Sequence, residues 1–397
     1  MSGRKVLLVI VLVFSLLIGL LYSFFGGRLL TIWNVPTHFP PLIDLRGVLT
    51  GFDAARLGFD PIYNNPLDPY KRPVAYPRIW FLFGFLGVSE RHTEIIAILL
   101  LTVYAFSLFV GLKDYDKTTA VWLAFAVFSP ASMLCYQFGN VELVIFILLS
   151  FMLLQDNIVG AFTLLELAAF LKLFPIAGLG CFLSADRRKS IQYIFIGILI
   201  FAIYVIVTWT DTSWTLSHAP KEALRNYGIG VISIRIYELT GMRQLSDAVA
   251  IPFFILVYVL IILTLYFSNR YMKNISNDTN KFIKPFRLGA LIYLATFIQG
   301  SSYNYRLIFL FFLIPQLVYW IKYNKNLHHY AKWTLVFVLL SDWGMIFSKL
   351  LPVNIGFSLD EIANWILFVL LLFLFVVSAP EWIRSEIRLF FNRYEFS

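Results

Sequence analysis

Three charged residues have the type and setting to do chemistry. Lys172 lies in the apolar run AAFLKLFPIAG, three residues ahead of Pro175. Arg306 opens the run RLIFLFFLIP directly after the polar turn QGSSYNY. Asp44 stands in the polar opening stretch PLIDLRGVLTGFDAARLGFDPIYNNPLDPYKRPVAYP, which also holds Asp53, Asp60 and Asp68. An ionisable group inside a bilayer costs a few kcal/mol, so it marks a functional position. A proline-broken helix places free backbone N–H groups and a side-chain cation around a cavity, which suits an anion. A carboxylate held at the membrane surface suits proton abstraction. The plain alternative for Lys172 and Arg306 is snorkelling to lipid phosphate.

The elements that position these residues are membrane helices. Hydrophobic residues make up 59% of the 397 and charged residues 14%. A soluble domain is nearer one-half apolar and one-quarter charged, so the chain belongs in a bilayer. We expect an all-α polytopic membrane protein forming a single domain over 1–397. Apolar run lengths predict spans near 6–25, 94–112, 118–134, 141–155, 157–171, 173–184, 190–209, 250–268, 287–299, 306–321, 332–348 and 362–379. That amounts to about 10–13 transmembrane helices, several short or broken. The piece 79–88 is too short to cross and is expected at the interface. The first run follows Arg4-Lys5 and lacks a small-residue cleavage site, so it reads as a retained signal-anchor.

Charge placement predicts the orientation. With both termini cytoplasmic, Arg4-Lys5, Arg187-Arg188-Lys189, the 270–287 loop, 322–332 and the 384–393 tail all fall inside. The net charge of +9 is then topological and argues for no nucleic acid partner. The first loop (26–93), the 210–249 loop and the turns at 299–305 and 349–361 face outside, where a site would be extracytoplasmic. The sequons Asn274-Ile-Ser276 and Asn277-Asp-Thr279 fall on the inner side and read as plain loop. Cys135 and Cys181 lie in apolar helices near opposite faces and read as buried hydrophobes. His328-His329 reads as a solvated pair.

Within the opening loop, Leu45, Val48, Leu49, Phe52 and Ala55 recur at helical spacing, with Arg46, Thr50, Asp53 and Arg56 between them. This predicts a short amphipathic helix lying on the outer membrane face. Asp44 precedes it, an N-cap position that would also orient a general base. Asp53, Asp60 and Asp68 read as helix-face and turn residues. In the second exterior loop, Arg225, Arg235 and Arg243 accompany His218, Lys221 and Asn226, and several guanidinium groups suit bidentate phosphate contacts. Tyr76, Arg78, Tyr303 and Tyr305 could line a sugar, or simply mark the interface. Glu142, next to Asn140 in QFGNVELV, is a further candidate, whereas Glu166 is expected to be structurally paired.

The order DLRGVLTGFDAARLGFDPIY, YPRIW, FGNVELVIFILLSFML, LELAAFLKLFPIAGL and RNYGIGVISIR resembles the C-type (GT-C) membrane glycosyltransferases. Glycosyltransferase family 87, whose members use polyprenyl-phosphate sugars, is the nearest likeness. The matching segments run from about residue 40 to 320. The resemblance implies a GT-C-like bundle, with Asp44 in the place of the first-loop catalytic carboxylate and Lys172 beside the lipid-phosphate pocket. A histidine common before the late span is replaced here by Tyr303, Asn304, Tyr305 and Arg306. The implied activity moves a sugar from a polyprenyl-phosphate donor to a lipid or glycan acceptor. Donor phosphate would meet Lys172, Arg225, Arg235 and Arg306. The surrounding candidates are Arg46, Asp53, Tyr76, Arg78, Asn140, Glu142, His218, Asn226, Tyr303 and Tyr305. No metal or other cofactor is expected, because fixed cations can serve a monophosphate leaving group. The expected location is a plasma or inner cell membrane, with membrane lipids as surroundings. The rival classes are a lipid-linked-glycan flippase and an O-antigen-type polymerase or ligase.

Overall fold

Runs of Leu, Ile, Val and Phe that cannot be buried in water-facing helices fold here into a long-helix bundle. The computed structural model describes residues 2–111, 115–219, 221–272 and 280–394. Seven described helices are long and apolar enough to cross a membrane: Gly3–Trp33, Glu90–Gly111, Arg187–Val207, Arg243–Met272, Asn304–Tyr323, His328–Leu350 and Val353–Val377. A bent pair, Lys117–Val127 with Pro130–Phe138, would make an eighth. The protein is a helical, multi-pass membrane protein.

That number is below the expected 10–13, because an apolar run is not always a span. Glu142–Leu154 and Ile158–Leu171 have 13 and 14 residues. At 1.5 Å per residue each reaches about 20 Å, short of a hydrocarbon core of about 30 Å. The run 173–184 is a 3₁₀ helix, Phe174–Phe182. The run 118–134 is cut by Ser129, whose hydroxyl accepts the Ser132 N–H, and by Pro130 at the next helix's first position. That pair bends by 55°. The 210–249 stretch is largely helical, holding Trp209–His218, Val231–Thr240 and the start of Arg243–Met272. The expected 349–361 turn is shorter, since a helix begins at Val353. The two sequons lie outside the described residues.

The long helices separate two ends. Arg187–Val207 spans about 31 Å by its 21 residues. Beyond its C-terminus, Asp211 pairs with Arg78 of the opening loop. At its start, Arg187 pairs with Glu386, and Trp382 donates to the Ser184 carbonyl. At this same end Arg287 donates to the carbonyls of Leu183 and Ser378. The amino-terminal Gly3 rests on the backbone of Tyr115 and Asp116, and Lys322 pairs with Asp116. Basic segments thus gather opposite the opening loop. Cys135 and Cys181 are both buried. The core between the ends is aromatic. Phe146 stacks on Phe312 at 4.7 Å and touches Phe309, Phe311 and Tyr104.

The opening loop contains the helix Ile43–Arg56, as its spacing predicts, but its apolar face meets protein rather than lipid. Leu45, Val48, Leu49 and Phe52 are buried. The close approach needs glycine at 139. Its φ is +58°, and a Cβ there would lie 2.9 Å from the Leu45 Cβ. Gly139 also ends the helix Pro130–Phe138 in a left-handed cap. The polar face is clamped by the segment that follows. Arg46 pairs with Glu90 and Glu94, and Arg56 donates to the carbonyls of Gly84 and Val88. The expected interfacial piece is a 3₁₀ helix, Arg78–Leu86, with Phe85 and Leu86 exposed.

Thiol labelling tests the two-ended arrangement, because both native cysteines are buried. In sealed membranes Leu57→Cys and Lys325→Cys should react from opposite sides, with the parent protein silent. Labelling of both from one side would contradict it.

Candidate active site

Asp44 occupies the first turn of Ile43–Arg56 rather than its N-cap; Leu42 holds that place and no side chain caps the helix. The carboxylate is therefore free of capping and turns inward. One oxygen accepts from Asn140 Nδ2 at 2.6 Å, and the other faces Arg72 NH1 at 3.4 Å. Arg72 is itself fixed by Asp68, which accepts the Tyr70 and Arg72 backbone N–H groups and the Arg72 guanidinium at 3.0 Å. Asp68 is the turn residue its sequence setting suggests, yet it also anchors the cation beside Asp44. Burial raises the Asp44 carboxyl above its ordinary value, while Arg72 and the Asn140 hydrogen bond oppose that rise.

Lys172 terminates Ile158–Leu171 in an extended conformation, ahead of Pro175. The Leu171 carbonyl left by this break accepts from Trp80 Nε1 of the opening loop at 2.9 Å. Lys172 Nζ donates to Glu142 Oε2 at 2.7 Å and lies 4.8 Å over the Tyr76 ring. Arg306 Nε donates to the other Glu142 oxygen at 3.2 Å, and its NH1 to Ser302 Oγ at 2.9 Å. Glu142 is fully buried. Its own N–H donates to Asn140 Oδ1 at 3.1 Å. The turn Asn140-Val141-Glu142 thus joins the carboxylate half of the site to the cationic half.

Both halves line one cavity of about 430 Å³. Asp44, Lys172, Arg225, Arg306, His218, Tyr76, Tyr303 and Tyr305 are all in its wall. Tyr303 and Tyr305 stack at 5.1 Å, and His218 stacks on Trp214 at 4.1 Å. Arg225 pairs with Glu222. A second cavity of about 110 Å³ shares Tyr76, Lys172, Thr215 and Arg306, and is walled by Leu173, Phe174 and Leu216. The two spaces meet at the cations.

Several expected residues lie elsewhere, the charged ones each paired with a neighbour. Arg235 pairs with Glu238 and Asn354 over the Phe357 ring, and Arg243 reaches towards Asp247. Arg46 and Asp53 serve the clamp on their own helix, Asp53 with Arg56 and the Glu90 N–H. Arg78 joins Asp60 and Asp211, holding Asp211 below the usual carboxylate range. Asn226 pairs in a two-residue antiparallel ladder opposite Tyr303, with its side chain on Ser301. Glu166, expected to be paired, has two buried oxygens with no hydrogen-bond partner among the described residues. Sequence reasoning missed Arg72, Glu222, Trp214 and His38, which also line the cavity. The signal for Arg72 was Asp68 four residues earlier, in a turn that an aspartate closes. Burial and the Arg225 and Arg72 charges lower the His38 imidazole below its ordinary value.

The described residues include no group of three His, Cys, Asp or Glu side chains placed to hold a metal. The chain matches no protein-family model, no curated protein and no solved structure.

Removing one partner of a buried charge cluster is costly, because the remaining charges stay desolvated. Glu142→Ala should destabilise by about 3–5 kcal/mol. Arg78→Gln, with a half-exposed guanidinium, should cost less than about 1 kcal/mol. Thermal midpoints of the two variants in detergent measure the contrast, and equal losses would refute it.

Proposed function

We propose that the protein is a glycosyltransferase of the C-type architecture. It moves a sugar from a polyprenyl-phosphate donor to a lipid or glycan acceptor on the extracytoplasmic side of a cell membrane. One observation carries this reading: a partly buried, uncapped carboxylate and two cations beside a buried glutamate share a single cavity wall. The resemblance of the motifs around Asp44, Asn140 and Lys172 supports it, and the Gly-Asn and Lys-x-x-Pro segments bring those residues into one place.

Phosphate sits on the Lys172 and Arg306 side, and the smaller apolar-walled cavity receives the first part of the lipid. Asp44 takes the proton of an acceptor hydroxyl, whose oxygen attacks the anomeric carbon from the opposite face. The bond from that carbon to the phosphate oxygen breaks, and its electron pair leaves with the phosphate. Lys172 and Arg306 stabilise the charge that develops there, where little water screens it. A one-step displacement inverts the anomeric centre. Arg72 and Asn140 favour the ionised form of Asp44 against the effect of burial and keep the carboxylate aimed.

Purified protein with a labelled polyprenyl-phosphate sugar tests this. Asp44→Asn should lower turnover by about 10²-fold or more and spare donor binding. A near-native rate would remove Asp44 as the base. Donor movement across vesicles without any glycosylated product would mark a flippase instead.

The pH profile gives a separate check. A base acts deprotonated, so activity falls as pH drops through its raised pKa. The acidic limb should lie above the ordinary aspartate value of 3.8. Arg72→Gln removes a cation that favours the ionised form and should move the limb to higher pH. A limb that moves down would contradict the assignment.

A further inference from the structure

The charges around the cavity cancel unevenly along its length. Lys172 and Arg306 share the single carboxylate of Glu142, which leaves one positive charge. Arg72 serves both Asp44 and Asp68, which leaves one negative charge. Arg225 is balanced by Glu222. Glu142 cannot swing out to solvent. It is fully buried, each oxygen rests on a different cation, and its backbone is held by Asn140.

A site that simply bound phosphate as tightly as possible would leave both cations uncompensated. Placing a fixed carboxylate between them halves the charge on offer. We propose that Glu142 is a specificity residue that makes the Lys172–Arg306 site favour a phosphodiester over a phosphomonoester. The inference rests on the phosphate reading above and adds how donor and product are told apart.

The charge balance of transfer gives the reason. A sugar–phosphate–lipid is a diester with one negative charge, which matches the single positive charge left at the cations. Breaking the sugar–oxygen bond yields a monoester, whose second ionisation near pH 6 gives it close to two charges at neutral pH. The abstracted proton rests on Asp44, so the compensating change occurs at the far end of the cavity. The new charge develops close to the Glu142 carboxylate, in a setting of low dielectric. Repulsion there favours departure of the lipid phosphate. If the loss of Glu142 merely disrupted the fold around the two cations, binding of both phosphate classes would fall alike.

Binding by the full chain in detergent, followed by calorimetry at pH 8, decides between these. The probes are dodecyl phosphate, a monoester, and methyl dodecyl phosphate, a diester. The parent protein should bind the diester at least as tightly as the monoester. Glu142→Gln should shift that ratio towards the monoester by about tenfold or more. Glu142→Asp should keep the parent ratio. The double variant Glu142→Gln with Lys172→Met restores one net positive charge and should return towards the parent ratio. It removes both members of the closest pair, so it also serves where the single variant fails to fold. An unchanged ratio in Glu142→Gln overturns the proposal while leaving the transferase reading intact. A parent protein that binds neither probe overturns the phosphate reading itself. A double variant that prefers the monoester also overturns the charge argument.

Discussion

One buried carboxylate permits the cationic half of the site to exist. Two desolvated cations at membrane depth would repel each other and lose their hydration. Glu142 gives each of them an oxygen, at 2.7 and 3.2 Å, and so holds three chain segments together. Those segments are the start of Glu142–Leu154, the broken end of Ile158–Leu171 and the turn before Arg306. The short helices make sense in this light. A full-length span would carry Lys172 past the level at which Glu142 waits for it.

The opening loop depends on the same arrangement from the other side. Its helix is clamped by Arg46 and Arg56, pressed onto Gly139, and tied by Trp80 to the carbonyl that Lys172's helix leaves open. Asp44 is aimed by Asn140, and Asn140 by the Glu142 backbone. The carboxylate and the cations are consequently held by one rigid turn rather than by separate mobile loops. In the proposed transfer, pre-organisation of this kind would let electrostatic stabilisation act without reorganisation.

Much of this is legible in the sequence. Lys172 announced itself as a cation inside oil before a proline, and Arg306 as a cation after a polar break. The spacing of Leu45 to Ala55 announced a helix, and the Asp44 position drew notice beside it. What stayed hidden was pairing. Arg46, Arg78 and Arg235 look as able to hold phosphate as Arg306 does, and only folding reveals that Glu90, Asp211 and Glu238 neutralise them. Arg72 stayed hidden for the opposite reason, because a turn-forming stretch masks a side chain that folds back onto Asp44. The number of spans was overread because apolar length alone cannot tell a crossing helix from a short one that stops at a buried polar turn.

The small ladder at Asn226–Tyr227 and Ser302–Tyr303 has a final implication. In a strand, successive side chains point to opposite sides. Here the Ser302 hydroxyl accepts from Arg306 while its neighbour Tyr303 faces the cavity. A pairing shifted by one residue would exchange them, putting a bulky phenol where the guanidinium needs a small acceptor. Beside the ladder, Gly228 has a φ of +124°, and a Cβ there would lie 2.7 Å from the Gly300 carbonyl oxygen. Two rungs of backbone bonding thereby act as the alignment key between a buried segment distant in sequence and the arginine in the cavity wall.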